Sequence, residues 1–193
     1  FLNGIREVDP ADADAIVLDL LAGRAPADWQ IAATIQSGVS QAMMPKLVKL
    51  AKTAPPALFV HVGYQVKQAV LTPDEVEALL RSLLRNNSLI AADLALDIGF
   101  YWFGRSSGPQ CAERLHWKLV TDHRLFGDNM RQNSHQWEVM AMAFRVRFPN
   151  REVNLLAALL NPKKRTHSYA VAVETFGVLG AICAAKPDES WEV

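Results

Sequence analysis

The residues best suited to chemistry are concentrated between 114 and 137, in the stretch RLHWKLVTDHRLFGDNMRQNSHQW. This stretch contains three histidines, two aspartates and two tryptophans, residue types found in metal sites, general acid–base catalysis and nucleic-acid binding. His116 and His123 are two helical turns apart, so both can lie on one helix face. Their spacing matches no established motif. We therefore interpret the histidines as partly exposed residues of an amphipathic helix that buries Leu115 and Leu119.

A second candidate site is acidic. Asp93 and Asp97 lie one helical turn apart in SLIAADLALDIGFYWF, which is otherwise apolar. Two carboxylates at this spacing can bind a divalent cation or share a proton. With His116, His123 and His135 they could form a metal-dependent hydrolase, provided that all of them converge in one cleft. We favour a solvated stripe, or acceptors for neighbouring arginines, and we assign no catalytic residue and no metal ligand.

Motifs that would identify an enzyme are absent from the sequence. It has no phosphate-binding glycine loop, no dinucleotide fingerprint, no nucleophile elbow and no paired-cysteine site. We therefore expect no cofactor, and we favour a non-enzymatic protein over an enzyme.

Basic residues give the third candidate site. The formal net charge is zero, but residues 105–167 carry 11 basic against 5 acidic side chains, whereas residues 1–100 carry 8 against 11. The basic segment is the part expected to meet an acidic partner. Tryptophan and arginine dominate binding hot spots, so both types enter the predicted surface. The predicted partner-binding residues are Arg124, Arg131, Arg145, Arg147, Arg151, Lys163, Lys164, Arg165, Trp117 and Trp137.

The elements that position these residues are predicted to be helices. Asp9-Pro10 is typical of an N-cap followed by a first helical residue, and TPDE at 72–75 predicts a capping box. A helix beginning near Pro26 has Ile31, Ile35 and Val39 on one stripe, with polar residues opposite. Those polar residues are Gln30, Thr34, Ser37 and Gln41. Later helices are expected at about 110–125, 133–147, 151–160 and 166–185.

These patterns predict an all-α fold. No stretch shows the alternation typical of strands, and short breaks between helices favour antiparallel neighbours. We expect residues 1–193 to form a single helical domain of about eight to nine helices, either an irregular multi-helix bundle or a right-angle stack. The turn-rich segment GRSSGP at 104–109 is the predicted subdomain boundary. Residues 56–103 have the rhythm of helix pairs, without a repeated signature at a fixed period.

The compartment is predicted from cysteines and hydropathy. Cys111 and Cys183 lack metal or redox spacing, which indicates a reducing compartment, and we interpret Cys183 as a small core residue. The first residues lack a signal-peptide pattern. The apolar run at 170–185 is too short and too polar to span a bilayer. We expect a cytoplasmic protein without a membrane span.

The leading functional hypothesis is a helical adaptor or assembly subunit that binds an acidic protein surface or peptide through its basic C-terminal half. The alternative for the same face is nucleic-acid binding, with Trp117 or Trp137 stacking on bases. A small-residue surface fits either an internal helix contact or the seam of a homo-oligomer. It comprises Gly177, Gly180, Ala181 and Ala184.

Overall fold

The computed structural model describes residues 2–105, 108–126, 134–160 and 169–190, with side chains described for all of these except 169–174. Within these ranges the chain forms twelve α-helices and no β-strand, which confirms the all-α prediction. The helices are α1 (Leu2–Val8), α2 (Pro10–Ala22), α3 (Ala27–Ser37), α4 (Met44–Thr53), α5 (Phe59–Gln68), α6 (Pro73–Arg85), α7 (Leu89–Phe103), α8 (Glu113–Thr121), α9 (Ser134–Arg147), α10 (Glu152–Leu160), α11 (Tyr169–Ala185) and α12 (Pro187–Ser190).

The number of helices is higher than the predicted eight to nine. The helices that the sequence patterns missed include α1, of seven residues, and α12, of four. Segments of one or two turns are too short to show a helical repeat of apolar residues, so their periodicity cannot be seen.

The chain divides into two compact units, Phe1–Ile98 and Gly99–Val193. The division falls inside α7, a few residues before the turn-rich segment at 104–109. Glycine and proline mark where the backbone turns. The limits of a compact unit depend instead on which side chains pack together, so the two positions differ.

The N-terminal unit is a stack of helix pairs. Successive helices α1, α2 and α3 pack together, and alternate helices also pack, α1 on α3, α3 on α5, α2 on α4 and α4 on α6. This pattern places the helices in two rows, as in proteins built from stacked helix pairs. Gly63 of α5 lies against α7, since an added Cβ would be 2.5 Å from Cδ1 of Leu94. The missing side chain therefore allows close packing.

Two helix starts form as their sequences predict. The side chain of Asp9 accepts hydrogen bonds from the backbone N–H groups of Ala11 and Asp12, ahead of α2. At the start of α6, Thr72 and Glu75 form a reciprocal capping box. Both devices satisfy N–H groups that the first helical turn leaves without partners.

The predicted polar face of α3 is wrong. Gln30, Thr34 and Ser37 are buried, although the pattern placed them opposite the apolar stripe. Each finds a nearby backbone acceptor, for example the carbonyl of Gln30 for the Thr34 hydroxyl at 3.0 Å and the carbonyl of Ala25 for the Gln30 amide at 2.7 Å. Short polar side chains can be buried when they bond to nearby carbonyls. The helix also ends early, at Gly38, whose φ is 77°.

The C-terminal unit is organised around α9, which packs on α8 and α11, while α10 packs on α8, α11 and α12. The buried residues of α9 are Trp137, Met140, Ala141 and Phe144. They recur at three- and four-residue spacing, so one stripe of the helix faces the core.

Helix α11 is largely apolar, so its sequence does not show which of its faces is buried. Val178 and Ile182 are buried, whereas Phe176 is exposed. Cys183 is also exposed and Cys111 is buried, so the interpretation of Cys183 as a core residue is wrong. None of the helices in the described parts of the chain is both long enough and apolar enough to cross a membrane.

Candidate interaction surface of the C-terminal unit

His116 is a core residue. The prediction that it is partly exposed is therefore wrong. Its Nε2 nitrogen donates to the backbone carbonyl of Met140 at 2.8 Å, because a carbonyl can only accept. The Phe144 and Phe148 rings meet the imidazole edge-on. Burial lowers the pKa of His116 to about 4; the Met140 bond opposes this shift and the Arg147 charge adds to it. The imidazole is therefore neutral at neutral pH.

The other two histidines of the opening stretch are exposed. His123 lies in the 3-10 helix that follows α8, and His135 lies in the first turn of α9, with its ring 6.1 Å from that of Phe100. Among the described residues no group of three histidine, cysteine, aspartate or glutamate side chains could hold a metal ion. In the N-terminal unit, Asp97 forms an ion pair with Lys67, so this carboxylate is an acceptor for a basic side chain.

Arg124 of the predicted basic face is bound to a neighbouring carboxylate. Its Nε donates to Oδ1 of Asp122 at 2.8 Å, and its Nη2 donates to Oδ2 at 2.6 Å. Burial disfavours the charged form of Asp122, but the side-chain and backbone bonds from Arg124, with the nearby charges of Arg124 and His123, hold the pKa of the carboxyl below its usual value. Arg124 and Asp122 therefore form a local ion pair directly after α8.

Arg145 is bound inside the C-terminal unit. Its Nε donates to Oε1 of Glu152 at 2.9 Å, and its Nη2 donates to the carbonyl of Ala181 at 3.1 Å. Glu152 is buried. One guanidinium therefore connects α9 to both α10 and α11, and it compensates a carboxylate that burial would otherwise destabilise.

Arg147 is bound to backbone carbonyls. Its Nη1 donates to the carbonyl of Phe103 at 2.8 Å, and its Nη2 donates to that of Arg105 at 2.9 Å. Phe103 is the last residue of α7, and the last carbonyls of a helix have no intrahelical donor. Arg147 therefore caps the C-terminus of α7.

Arg151 differs from these three arginines because it stays at the surface. Its guanidinium carbon lies 5.2 Å from the centroid of the Trp117 ring, and its Nε is 3.2 Å from Oε1 of Glu113. The Arg151 side chain is 45% exposed, and Trp117 is half-buried beside Phe144, with the ring centroids 5.5 Å apart. The stack presents an oriented guanidinium to solvent.

Two exposed residues that the prediction omitted extend this surface. Arg114 and Lys118 lie one turn apart on α8 and are exposed, because the opposite stripe buries Leu115 and Leu119. The sequence could have indicated their exposure, because both lie between the buried positions of an amphipathic helix. We call the set the α8 surface. It consists of Glu113, Arg114, Trp117, Lys118 and Arg151.

Trp137, predicted to meet a partner, is instead fully buried. Its indole Nε1 donates to the carbonyl of Val120 at 3.0 Å, and its ring meets that of Phe126 edge-on at 5.6 Å. A tryptophan enclosed in this way offers no surface to a partner.

The remaining predicted residues, Arg131, Lys163, Lys164 and Arg165, lie outside the described residues. Comparisons of the chain with protein-family models, with curated proteins and with solved structures find no match. The candidate surface is therefore defined by the chain's own residues and their geometry.

Proposed function

We propose that the protein is a non-enzymatic, cytoplasmic interaction module, an adaptor or a subunit of an assembly, whose α8 surface binds an acidic segment of a partner protein. The observation that carries this proposal is the exposed Arg151 guanidinium held over the Trp117 ring at 5.2 Å. Three other arginines donate to acceptors within the protein, namely Arg124, Arg145 and Arg147. Among the described residues, Arg151 contacts an exposed carboxylate, that of Glu113, and the ring face of Trp117.

The chemistry of the α8 surface suits a carboxylate ligand. Guanidinium presents a planar fork of donors that matches a carboxylate, and a tryptophan beside it adds apolar contact area. Arg114 and Lys118 add positive charge on the same side of α8. An incoming carboxylate would replace Glu113 at Arg151. That exchange costs little, because exposed ion pairs are worth about 1 kcal/mol or less.

The N-terminal unit is compatible with a scaffold role. Stacked helix pairs present long side-by-side surfaces that many binding proteins use. Such a fold alone does not define a function. The α8 surface therefore carries the proposed binding function, and the stacked helix pairs are compatible with it.

The arrangement favours an acidic peptide over nucleic acid. Base stacking needs an open ring face, and Arg151 already covers one face of Trp117. A base that stacks on this face would first have to displace the guanidinium. A carboxylate can bind Arg151 where it stands.

The test is fluorescence anisotropy with two labelled probes, a short glutamate- and aspartate-rich peptide and a single-stranded oligonucleotide, across a salt series. We expect saturable peptide binding that Arg151→Glu weakens at least about tenfold, a loss of about 1.4 kcal/mol. The matched control is Arg24→Glu, a charge reversal at an exposed position of the N-terminal unit.

Two outcomes would overturn the proposal. One is equal peptide affinity for wild type and Arg151→Glu. The other is tighter binding of the oligonucleotide with a steep salt dependence, which would instead assign the surface to nucleic acid.

A further inference from the structure

Helix α9 is apolar on two faces, and only one of them is in the core. Its outer face lines a cleft of about 740 Å³, with Gly104 and Gln110 also contributing to the lining. This volume is within the range of small-molecule sites. The apolar residues of the outer face are Val139, Met142, Ala143 and Val146.

The spacing of the outer face explains why it forms a continuous strip. Residues 139, 142, 143 and 146 recur at three- and four-residue intervals, between the core positions 137, 140, 141 and 144. From Glu138 to Val146 the strip is about 12 Å long, at the 1.5 Å rise of a helix. Val146 is 79% exposed, so this end of the cleft is open.

Arg147 and Glu138 both line the cleft, but they differ in how freely they can contact a ligand. Arg147 directs both terminal nitrogens to the carbonyls of Phe103 and Arg105. Glu138 lies at the other end, exposed, and no ion pair holds it among the residues that the structure describes. Its Oε1 lies beside the backbone of α11, 3.0 Å from where a Cβ on Gly177 would be. The Arg147 charge remains, but its terminal donors are occupied. The Glu138 end of the cleft is negative, and its carboxylate is the charged group left to accept from a ligand.

We propose that this cleft binds a small apolar cation, an amine or quaternary ammonium group on an apolar body about 12 Å long. The ammonium group meets the Glu138 carboxylate, and the body lies along Met142 and Val146. The site belongs to α9 and is independent of the α8 surface. Charge complementarity at the Glu138 end and the apolar strip of α9 define the ligand class.

The experiment is isothermal titration calorimetry of the full chain with octylammonium, and with octanoate and octanol as probes of matched length. We expect saturable binding of octylammonium, at least about tenfold tighter than that of either control. Glu138→Gln should weaken octylammonium about tenfold and leave octanol unchanged. Glu7→Gln, an exposed carboxylate in α1, is the matched control and should bind like wild type.

A second variant keeps the test independent of any effect of Glu138 on folding. Val146→Lys places a like charge at the open end of the strip, at a position exposed enough to accept it, and it should also weaken octylammonium. Circular dichroism verifies that each variant is folded. Octanoate binding as tightly as octylammonium, an unchanged affinity in folded Glu138→Gln, or no saturable binding of octylammonium would each overturn the proposal.

Discussion

The Nε2 nitrogen of His116 donates a hydrogen bond to the backbone carbonyl of Met140 at 2.8 Å, which joins α8 to α9 inside the core of the C-terminal unit. The other ring nitrogen, Nδ1, is buried and has no hydrogen-bond partner among the described residues. Protonation would place a charge there between aromatic rings. His116 therefore couples the stability of this unit to pH.

We expect acid to destabilise the protein through His116. Its pKa falls from 6.5 to about 4 on folding, so the unfolded chain binds the proton more readily. The part of the free energy of unfolding that depends on a neutral His116 is fully present above pH 6.5. It is lost as the pH falls to about 4, for a total of about 3 kcal/mol. Urea denaturation across this pH range measures the loss.

The variant His116→Gln isolates this effect, because its amide can donate to Met140 but does not titrate. The variant should be less stable at neutral pH and should lose less stability on acidification. His123→Gln, at an exposed position, is the control. Asp122 does not interfere, since a pKa below its usual 3.8 costs stability only at lower pH. An identical acid response in wild type and His116→Gln would contradict the assignment.

The Arg145–Glu152 pair should be essential for stability. Arg145→Met leaves the buried Glu152 carboxylate without its cation, and breaking a buried pair on one side costs about 3–5 kcal/mol. Chemical denaturation measures the loss. The double variant Arg145→Met, Glu152→Leu should recover part of it, because no buried charge remains. A loss below about 0.5 kcal/mol in the single variant, as at an ordinary surface position, would refute this role.

Arg151 should matter for binding and little for stability. A cation–π contact at a half-exposed position is worth about 0.5–1 kcal/mol, so Arg151→Ala should unfold at nearly the wild-type denaturant concentration. The same variant should lose most of its affinity for the acidic peptide. If Arg151→Ala instead lost several kcal/mol of stability, its effect on binding would reflect the fold.

Two tryptophan variants compare core with surface under the same chemical change. Trp137→Phe removes a buried indole and its hydrogen bond to Val120, and we expect a loss of about 2–3 kcal/mol. Trp117→Phe should cost less than about 1 kcal/mol but weaken peptide binding. Thermal unfolding and anisotropy measure the two effects. Equal destabilisation by both variants would contradict the different burial of the two residues.

Local signals in the sequence predicted local structure well. Asp9 and Thr72 cap helices because the groups they bond lie within three residues. The polar face of α3 was mispredicted, since Thr34 and Ser37 satisfy their hydroxyls on their own helix and can then be buried. Polarity is a guide to exposure only when a side chain has no acceptor within reach.

The destination of each arginine could not be predicted from the sequence. Arg147 bonds to Phe103, which lies 44 residues away along the chain, and Arg145 bonds to Glu152 across the junction of α9 and α10. The count of basic residues in 105–167 does not show which of them the fold uses. Trp137 was distinguishable in principle, because it shares a helical stripe with Met140, Ala141 and Phe144, whereas Trp117 lies outside the buried stripe of α8.

The two rows of the N-terminal unit have a consequence for how such a chain can change over evolutionary time. The first three helices pack in succession, and each of the first four packs on the next helix of its own row. Duplication or loss of one pair would then disturb a single junction, and the other junctions would keep their packing. The length of the stack can therefore change in steps of one helix pair.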